Sequence, residues 1–240
     1  MPNSPESLHG FTILHEDAAC IVISKPSGVL TQAPPGIDSL EWRIRLYLQA
    51  QANSVKEPYL GVPHRLDRPV SGAMVFAKTK AAARHLHEQF QQKKVSKRYW
   101  TLVSKPIEAE SGTWTDWMRK IDGEARSELV PEEHSEAKDA VLNFRCLASN
   151  GEMSWLEIEL LTGRSHQIRL QSSSRGHPVL GDFQYGSTSA FGPAVADSRE
   201  QPLALHSRSL QFIHPDSRKL MTFEASLPEL WQQYLDQFKQ

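Results

Sequence analysis

The order of apolar and polar positions divides the chain into short, strongly patterned segments. Cys20-Ile21-Val22-Ile23 is a continuous apolar run ending at Lys25-Pro26-Ser27-Gly28, which predicts a strand entering a turn. Asp38 precedes an amphipathic run with Leu40, Ile44, Tyr47 and Leu48 on one face, and Glu41 three residues on predicts a capping box. Residues 73–77 are apolar throughout, as in a buried strand. Thr79 then stands at the N-cap of a helix burying Ala82, Leu86 and Phe90. A further strand is predicted over 99–103, and another where Leu156, Ile158 and Leu160 alternate with Trp155, Glu157 and Glu159. After Thr162-Gly163 the alternation resumes over 165–171, with Ile168 and Leu170 on one side and Gln167 and Arg169 on the other. Leu210 and Phe212 alternate similarly. Ser226, ahead of Pro228 and Glu229, predicts a cap for a final helix burying Leu227, Trp231, Leu235 and Phe238.

Strands outnumber helices and follow no regular order, so the expected fold class is α+β. A mixed, mainly antiparallel central sheet flanked by helices and loops fits better than a doubly wound sheet. Pro34-Pro35-Gly36 and residues 131–136 read as surface loops. Neither repeats nor a linker break the pattern, which predicts one domain over 11–240 preceded by a polar extension, 1–10.

Composition adds limits. With 240 residues, 39% of them hydrophobic, the chain can bury a sizeable core. No apolar run approaches the ~18 residues of a membrane span, and the polar N-terminus lacks a secretory pattern; a cytoplasmic location is expected. Cys20 and Cys146 read as a reduced pair in apolar surroundings. The net charge of −1 hides an asymmetry. Residues 106–136 hold nine acidic and three basic side chains, a local charge of −6, so the rest carries −1 − (−6) = +5. Lys93, Lys94, Lys97 and Arg98 cluster just before the acidic stretch. Local charge, not the total, governs affinity for nucleic acid, so RNA binding is permitted, although a solvated helix end explains the cluster equally well.

Three segments could carry chemistry. His64-Arg65-Leu66-Asp67-Arg68-Pro69-Val70-Ser71-Gly72 places one carboxylate between two guanidiniums in a turn before a buried strand. Neighbouring cations keep such a carboxylate ionised, available as nucleophile or electrostatic partner; the plainer alternative is a surface Arg-Asp-Arg cluster worth little. Leu161-Thr162-Gly163-Arg164-Ser165-His166-Gln167-Ile168-Arg169 packs donors suited to bidentate recognition of an anion, or is an exposed polar strand edge. Lys97-Arg98-Tyr99-Trp100 interleaves cations with aromatics, as in base stacking or an ordinary half-buried strand. There is no Cys-x-x-Cys, His-Glu-x-x-His or glycine-rich phosphate loop. His85 and His87 are placed on different faces of their helix, so a metal site there is not expected.

Together the segments resemble the RluA family of pseudouridine synthases. The central match is His64-Arg65-Leu66-Asp67 followed by Ser71-Gly72. In the family's order stand Lys25-Pro26-Ser27-Gly28, Lys97 with Tyr99, Gly163 to Arg169, His177-Pro178 leading to Gly181-Asp182 and Tyr185-Gly186, and Leu205-His206 with His214-Pro215. The resemblance covers roughly residues 11 to 225. It implies isomerisation of uridine to pseudouridine in structured RNA of a tRNA or ribosomal loop, without metal or cofactor, by a monomer with no membrane association. It implies Asp67 as the catalytic carboxylate, Tyr99 as the aromatic stacked on the target base, and Arg164 as the arginine paired with Asp67. Arg65 would fill the gap left by the extruded uridine. His64, Lys97, His166, Gln167, Ile168 and Arg169 would bind substrate or support its pocket; Ile168 and Leu170 suit the core equally. Asp67 could attack C1′ or C6, or remove a 2′ proton, and every route needs it ionised.

The chain departs from the pattern at Leu170-Gln171, where the family more often ends in histidine, and at Ser24, where asparagine is commoner. Nothing before residue 11 resembles the small RNA-binding domain of several relatives, so the short, catalytic-domain-only form is expected. RNA choice would then rest on variable parts within it, chiefly 106–136 and 184–202. Two other classes were weighed. A retaining glycosidase built on Asp67 would need a second acid ~5 Å away, for which the motif blocks offer only Asp182. A catalytically dead RNA-binding module would be favoured by loss of Asp67 or Tyr99, and both are present.

Overall fold

A computed structural model describes residues 9–53, 55–196 and 201–239. The first part of the chain forms β1 (Thr12–Glu16), β2 (Cys20–Lys25), α1 (Leu40–Gln51), β3 (Ser71–Ala77) and α2 (Lys80–Gln91). Next come β4 (Ser96–Ser104), β5 (Ser111–Lys120), β6 (Ser127–Leu129), β7 (Lys138–Ser149), β8 (Met153–Leu160) and α3 (Gln167–Ser174). Then follow β9 (Leu205–Ile213), β10 (Leu220–Glu224) and the single turn α4 (Gln232–Leu235). The class is α+β, with antiparallel pairing throughout the registers described below.

The chain divides into two compact units. The first comprises residues up to Val95 with Ser207–Leu227, and the second Ser96–Ala196 with Gln201–His206 and Pro228 onward. In the first unit β1 pairs β2, β2 pairs β3 and β9 pairs β10, all antiparallel. β3 is buried at all seven positions. Its apolar residues pack with Ala19, Val22, Ala82, Leu86, Leu210 and Phe212 in one core, so the unbroken apolar run of the sequence reflects burial on both faces. Gly72 is required here. Its φ is +116°, and a Cβ would stand 2.3 Å from the Ser207 carbonyl oxygen, so no other side chain fits.

The two helices of this unit follow their apolar faces. Thr79 caps α2 by accepting from the Ala82 N–H at 3.1 Å, as its spacing predicts. The cap of α1 lies one residue beyond the expected Asp38: Ser39 accepts from the Trp42 N–H, and Asp38 is drawn off into an ion pair with Arg43.

The second unit runs β4-β8-β7-β5-β6, every neighbour antiparallel. Two expectations fail in this unit. Residues 165–171 are not an alternating strand but lead into α3, which buries Gln167, Ile168, Arg169, Gln171 and Ser172. The polar positions of the alternation, Gln167 and Arg169, are buried rather than solvent-facing, satisfied by Thr162 and Gln171 and by Asp182. The final helix is broken into a 3-10 turn, the four residues of α4 and another 3-10 turn, with Pro228 rather than Ser226 at its start. Of its expected anchors only Trp231 is fully buried, against Phe191 and His206. The acidic stretch 106–136, expected to be a variable part, forms β5 and β6; its charge is partly paired, Arg119 binding Glu128 at 2.6 Å and Glu136 at 2.8 Å. Within 184–202, residues 197–200 lie outside the described residues.

Candidate active site

The Asp67 turn is built by long-range hydrogen bonds from the segment that follows β2. Strand pairing sets Lys25 opposite Gly72, which carries the Lys25 side chain under the 66–70 loop. Its ammonium is fully buried and donates to the carbonyls of Val70 (2.7 Å), Pro26 (3.0 Å) and Arg68 (3.0 Å). Three donors to three carbonyls use its full capacity. Burial pushes the Lys25 pKa down from 10.5 to about 7, and the nearby charge of Asp67 partly opposes the shift. Ser27 Oγ donates to the Pro69 carbonyl at 2.7 Å, and the Gly28 N–H to that of Arg68 at 2.9 Å. Arg68 Nε returns a bond to the Gly28 carbonyl at 3.0 Å. Thr31 Oγ1 donates to the Leu66 carbonyl and accepts from its N–H. The turn closes with the Val70 N–H donating to the Asp67 carbonyl at 3.1 Å. Asp67 is thus held half-buried between a buried Leu66 and a buried Val70, with Arg65 exposed beside it.

His64 has a firm structural attachment. Its Nε2 accepts from the Val75 N–H at 3.1 Å and its ring stacks on Phe90 at 4.5 Å. That fixes the neutral tautomer with the proton on Nδ1.

The remaining expected residues belong to the second unit. Tyr99 is buried on β4, paired in register with Ile158. The Lys97 ammonium lies over Gly163, where a Cβ would stand 3.2 Å from Nζ. Arg164 is held by Asp139: Nε donates to the Asp139 carbonyl at 2.7 Å, and the guanidinium also pairs with its carboxylate. Gln167 organises that turn, its Oε1 accepting from the Arg164 N–H at 3.0 Å and from Thr162 Oγ1 at 2.8 Å while Nε2 donates to Gln171. His166 sits in the left-handed region (φ +55°) with Nδ1 2.9 Å from the Tyr185 hydroxyl, which accepts from the Ser127 N–H. Ile168 is buried in the core. Arg169 is buried and forks onto Asp182, with Nε–Oδ2 at 2.6 Å and Nη2–Oδ1 at 2.9 Å, and lies 5.0 Å from the Tyr185 ring centroid. Arg169 and Gln167 therefore shape the turn that presents Arg164, and the Arg169 guanidinium is engaged within the protein.

The same pair weakens the glycosidase alternative. Both Asp182 oxygens face Arg169, and the residue is 1% exposed, so the one acid offered by the motifs is committed to a buried ion pair. Sequence reasoning missed the roles of Lys25, Thr31, Asp139 and Tyr185. Lys25 stood within a recognised motif, but only strand register shows where its ammonium goes.

Among the described residues one group, His15, Asp17, Cys20 and His214, brings ligand-type atoms within 4.8 Å of one another. Its hydrogen bonding argues against an ion. His214 Nδ1 accepts from the N–H groups of Asp216 and Ser217, which leaves the proton, not a lone pair, on Nε2. Asp17 Oδ1 accepts from the Ala19 and Cys20 N–H groups. Burial pushes the Asp17 pKa up, but the Cys20 and Ala19 N–H groups and His15 outweigh it and bring it to about 2. Burial, aided by the Asp17 charge, pushes the Cys20 thiol up to about 12. The group ties the ends of the β1–β2 and β9–β10 hairpins together.

Comparison with known proteins agrees with this architecture. The model of a family described as RNA pseudouridylate synthase matches residues 19–174. An uncharacterised RNA pseudouridine synthase of Synechocystis is 34% identical over 233 residues, covering 95% of this chain and 69% of the relative. Ribosomal large subunit pseudouridine synthase C of Vibrio cholerae is 31% identical, covering 95% and 69%. tRNA pseudouridine synthase C of Haemophilus influenzae is 29% identical, covering 94% and 97%. The solved structure of human RNA pseudouridylate synthase domain containing 4 shares the fold, with a TM-score of 0.76 at 24% identity over 95% of this chain and 93% of that one. The chain belongs to the RNA pseudouridylate synthase family. It is an RNA pseudouridine synthase, an isomerase.

Proposed function

We propose that this enzyme converts uridine to pseudouridine in a loop of structured RNA, tRNA or ribosomal, with Asp67 as its catalytic carboxylate. The observation that carries the assignment is the fixing of the Asp67 turn by Lys25, Ser27, Gly28 and Thr31, which pins the backbone on both sides of one half-buried carboxylate. In the reaction the N1–C1′ bond breaks, the uracil turns, and a C5–C1′ bond forms. The proton displaced from C5 leaves as one is gained at N1, so atoms balance without oxidant or hydrolysis. Asp67 engages the sugar or base in its ionised form. Arg164 serves as the cationic residue of the reaction. Tyr99 offers the π surface for a uridine taken out of its stack, and the exposed Arg65 fills the space it vacates. His64, Lys97, His166, Gln167, Ile168 and Arg169 bind substrate or maintain the pocket.

The names of the Vibrio and Haemophilus relatives, one ribosomal and one tRNA enzyme, support RNA of either kind as substrate. Residues 11–240 would act as one catalytic domain, monomeric and cytoplasmic; among the described residues no helix is long and apolar enough to cross a membrane. The test is to delete the gene, map pseudouridines across tRNA and ribosomal RNA by carbodiimide-based sequencing, and complement with wild type or Asp67→Asn. Loss of a site, restored by wild type alone, is expected. Full restoration by Asp67→Asn would refute the assignment.

A further inference from the structure

The first unit carries three exposed cations, Lys80, Arg84 and Lys94, that the chemistry at Asp67 does not use. On α2, Lys80, Arg84, His87 and Gln91 are all exposed. At 100° per residue they fall within an arc of about 60° along about 16 Å of helix. Lys94, also exposed, follows just beyond the C-terminus. The opposite face buries Ala82, Leu86 and Gln89 against the unit's core.

Two observations bear on the role of this face. Lys80, Arg84 and Lys94 have no side-chain ion pair among the described residues; even Arg84 and Glu88, one turn apart, do not join. Several other cations are matched, Arg43 with Asp38, Arg45 with Glu41, Arg145 with Glu157, Arg175 with Asp116 and Arg208 with Glu224. Among the described residues Lys105 and Lys219 are exposed and unmatched like these three, but they stand singly rather than along one helix. The charges on α2 also run against the helix dipole. Its first turn holds Lys80 and no acid, and Glu88 stands in its last turn, the reverse of what stabilises a helix. α1 of the same unit has the favourable arrangement, with Glu41 in its first turn. The cations of α2 are therefore not explained by the stability of the helix that carries them.

We propose that this face of α2 is a second RNA contact, following the phosphate backbone of the substrate outside the target loop. The inference rests on structured RNA as the partner. Cations at i and i+4 stand ~6 Å apart, a spacing suited to successive phosphates of one strand. The flank of α2 beside this face meets the segment leading into the catalytic turn: Phe90 stacks on His64, and Ala83 packs on Gly61, where an added Cβ would stand 2.8 Å from its own. A backbone held on α2 would be carried by those contacts toward Arg65 and Asp67.

The test measures binding of fluorescein-labelled unfractionated tRNA to the full-length protein over a range of KCl concentrations. The variants are Lys80→Gln/Arg84→Gln/Lys94→Gln, and Lys105→Gln/Lys219→Gln/Lys239→Gln as a control with the same change in net charge. All six positions are exposed, and circular dichroism checks the fold. The α2 variant should bind about tenfold more weakly at 0.1 M KCl, with the slope of log Kd against log[KCl] shallower by about 2; the control should follow wild type. Equal affinities and slopes for the α2 variant and wild type would overturn the proposal, as would an equal loss in the control. Asp67→Asn, measured alongside, should bind tRNA like wild type and form no pseudouridine. Turnover by that variant would refute the site assignment alone, leaving the binding data to decide the role of α2.

Discussion

Replacing Lys25 with methionine keeps the length of the buried stem but removes the ammonium that holds the Asp67 turn. The lysine makes three charge-assisted hydrogen bonds, to Val70, Pro26 and Arg68, each worth ~2 kcal/mol, or about 6 kcal/mol together. Against this stands the burial that takes its pKa from 10.5 to about 7, about 5 kcal/mol at ~1.4 kcal/mol per unit. The two nearly cancel, leaving a net contribution to folding of about 1 kcal/mol at pH 7. Lys25→Met should therefore lower Tm by only ~2–4 °C. Activity should respond far more, because Asp67 loses the anchors that fix its turn, and displacing a reacting group by ~1 Å can cost 10²-fold. The assay is tritium release from C5-labelled RNA, with thermal unfolding measured on the same preparation. The expected result is kcat down about 100-fold with a small change in Tm. Unchanged kcat would refute the clamp, and a fall in Tm beyond ~10 °C with proportional loss of activity would make Lys25 a simple folding residue. The pH dependence supplies a second check. A lysine pKa depressed in the folded state means that the unfolded chain binds the extra proton between pH 7 and 10.5. Stability contributed by Lys25 therefore rises with pH through that window. Because the folded lysine is already half-titrated at pH 7, wild type should gain about 2 kcal/mol on Lys25→Met between pH 7 and pH 9 in urea titrations.

Three other perturbations follow from the same physics. Gly72→Ala would force a Cβ to 2.3 Å from the Ser207 carbonyl at positive φ and should cost ~3 kcal/mol or more; a urea midpoint within error of wild type would contradict it. Asp17→Asn should destabilise by ~1–2 kcal/mol after discounting for the partial exposure of the carboxylate. Its folded pKa is depressed to about 2, so the stabilisation is complete above pH ~4 and disappears as pH falls through 2; the gap between mutant and wild type should close over that range. Arg169→Met should cost ~3–5 kcal/mol by stranding the buried Asp182, and Arg169→Met/Asp182→Leu should recover part of it. A double variant worse than the single would show that the pair itself holds the α3 turn together.

Much of the architecture was legible where one local rule acted alone. The apolar run 73–77 is a fully buried strand, and Thr79 caps α2. The errors came where a residue had a competing partner. Asp38 could have capped α1 but pairs with Arg43, leaving the cap to Ser39. Residues 165–171 alternate like a strand because Gln167 and Arg169 look solvent-facing. Both are buried polar groups satisfied by Thr162, Gln171 and Asp182, and no local pattern announces such partners. Within the site, the ordered motifs marked Asp67, Tyr99 and Arg164 as candidates, yet nothing in them said that Arg164 is gripped by Asp139 or that His64 bonds to Val75.

By itself the sequence determined the residue types and their order: a lone carboxylate between arginines, a glycine after Ser71, and a lysine at the end of an apolar run. Those choices are local and survive in one dimension. Tertiary structure alone decided what each could do, because strand register brings Lys25 opposite Gly72 and its ammonium beneath the 66–70 loop. Burial then gives hydrogen bonds between residues more than forty positions apart the strength to hold Asp67 in place. A charged residue in a turn became a carboxylate on a fixed backbone through contacts between residues distant in sequence.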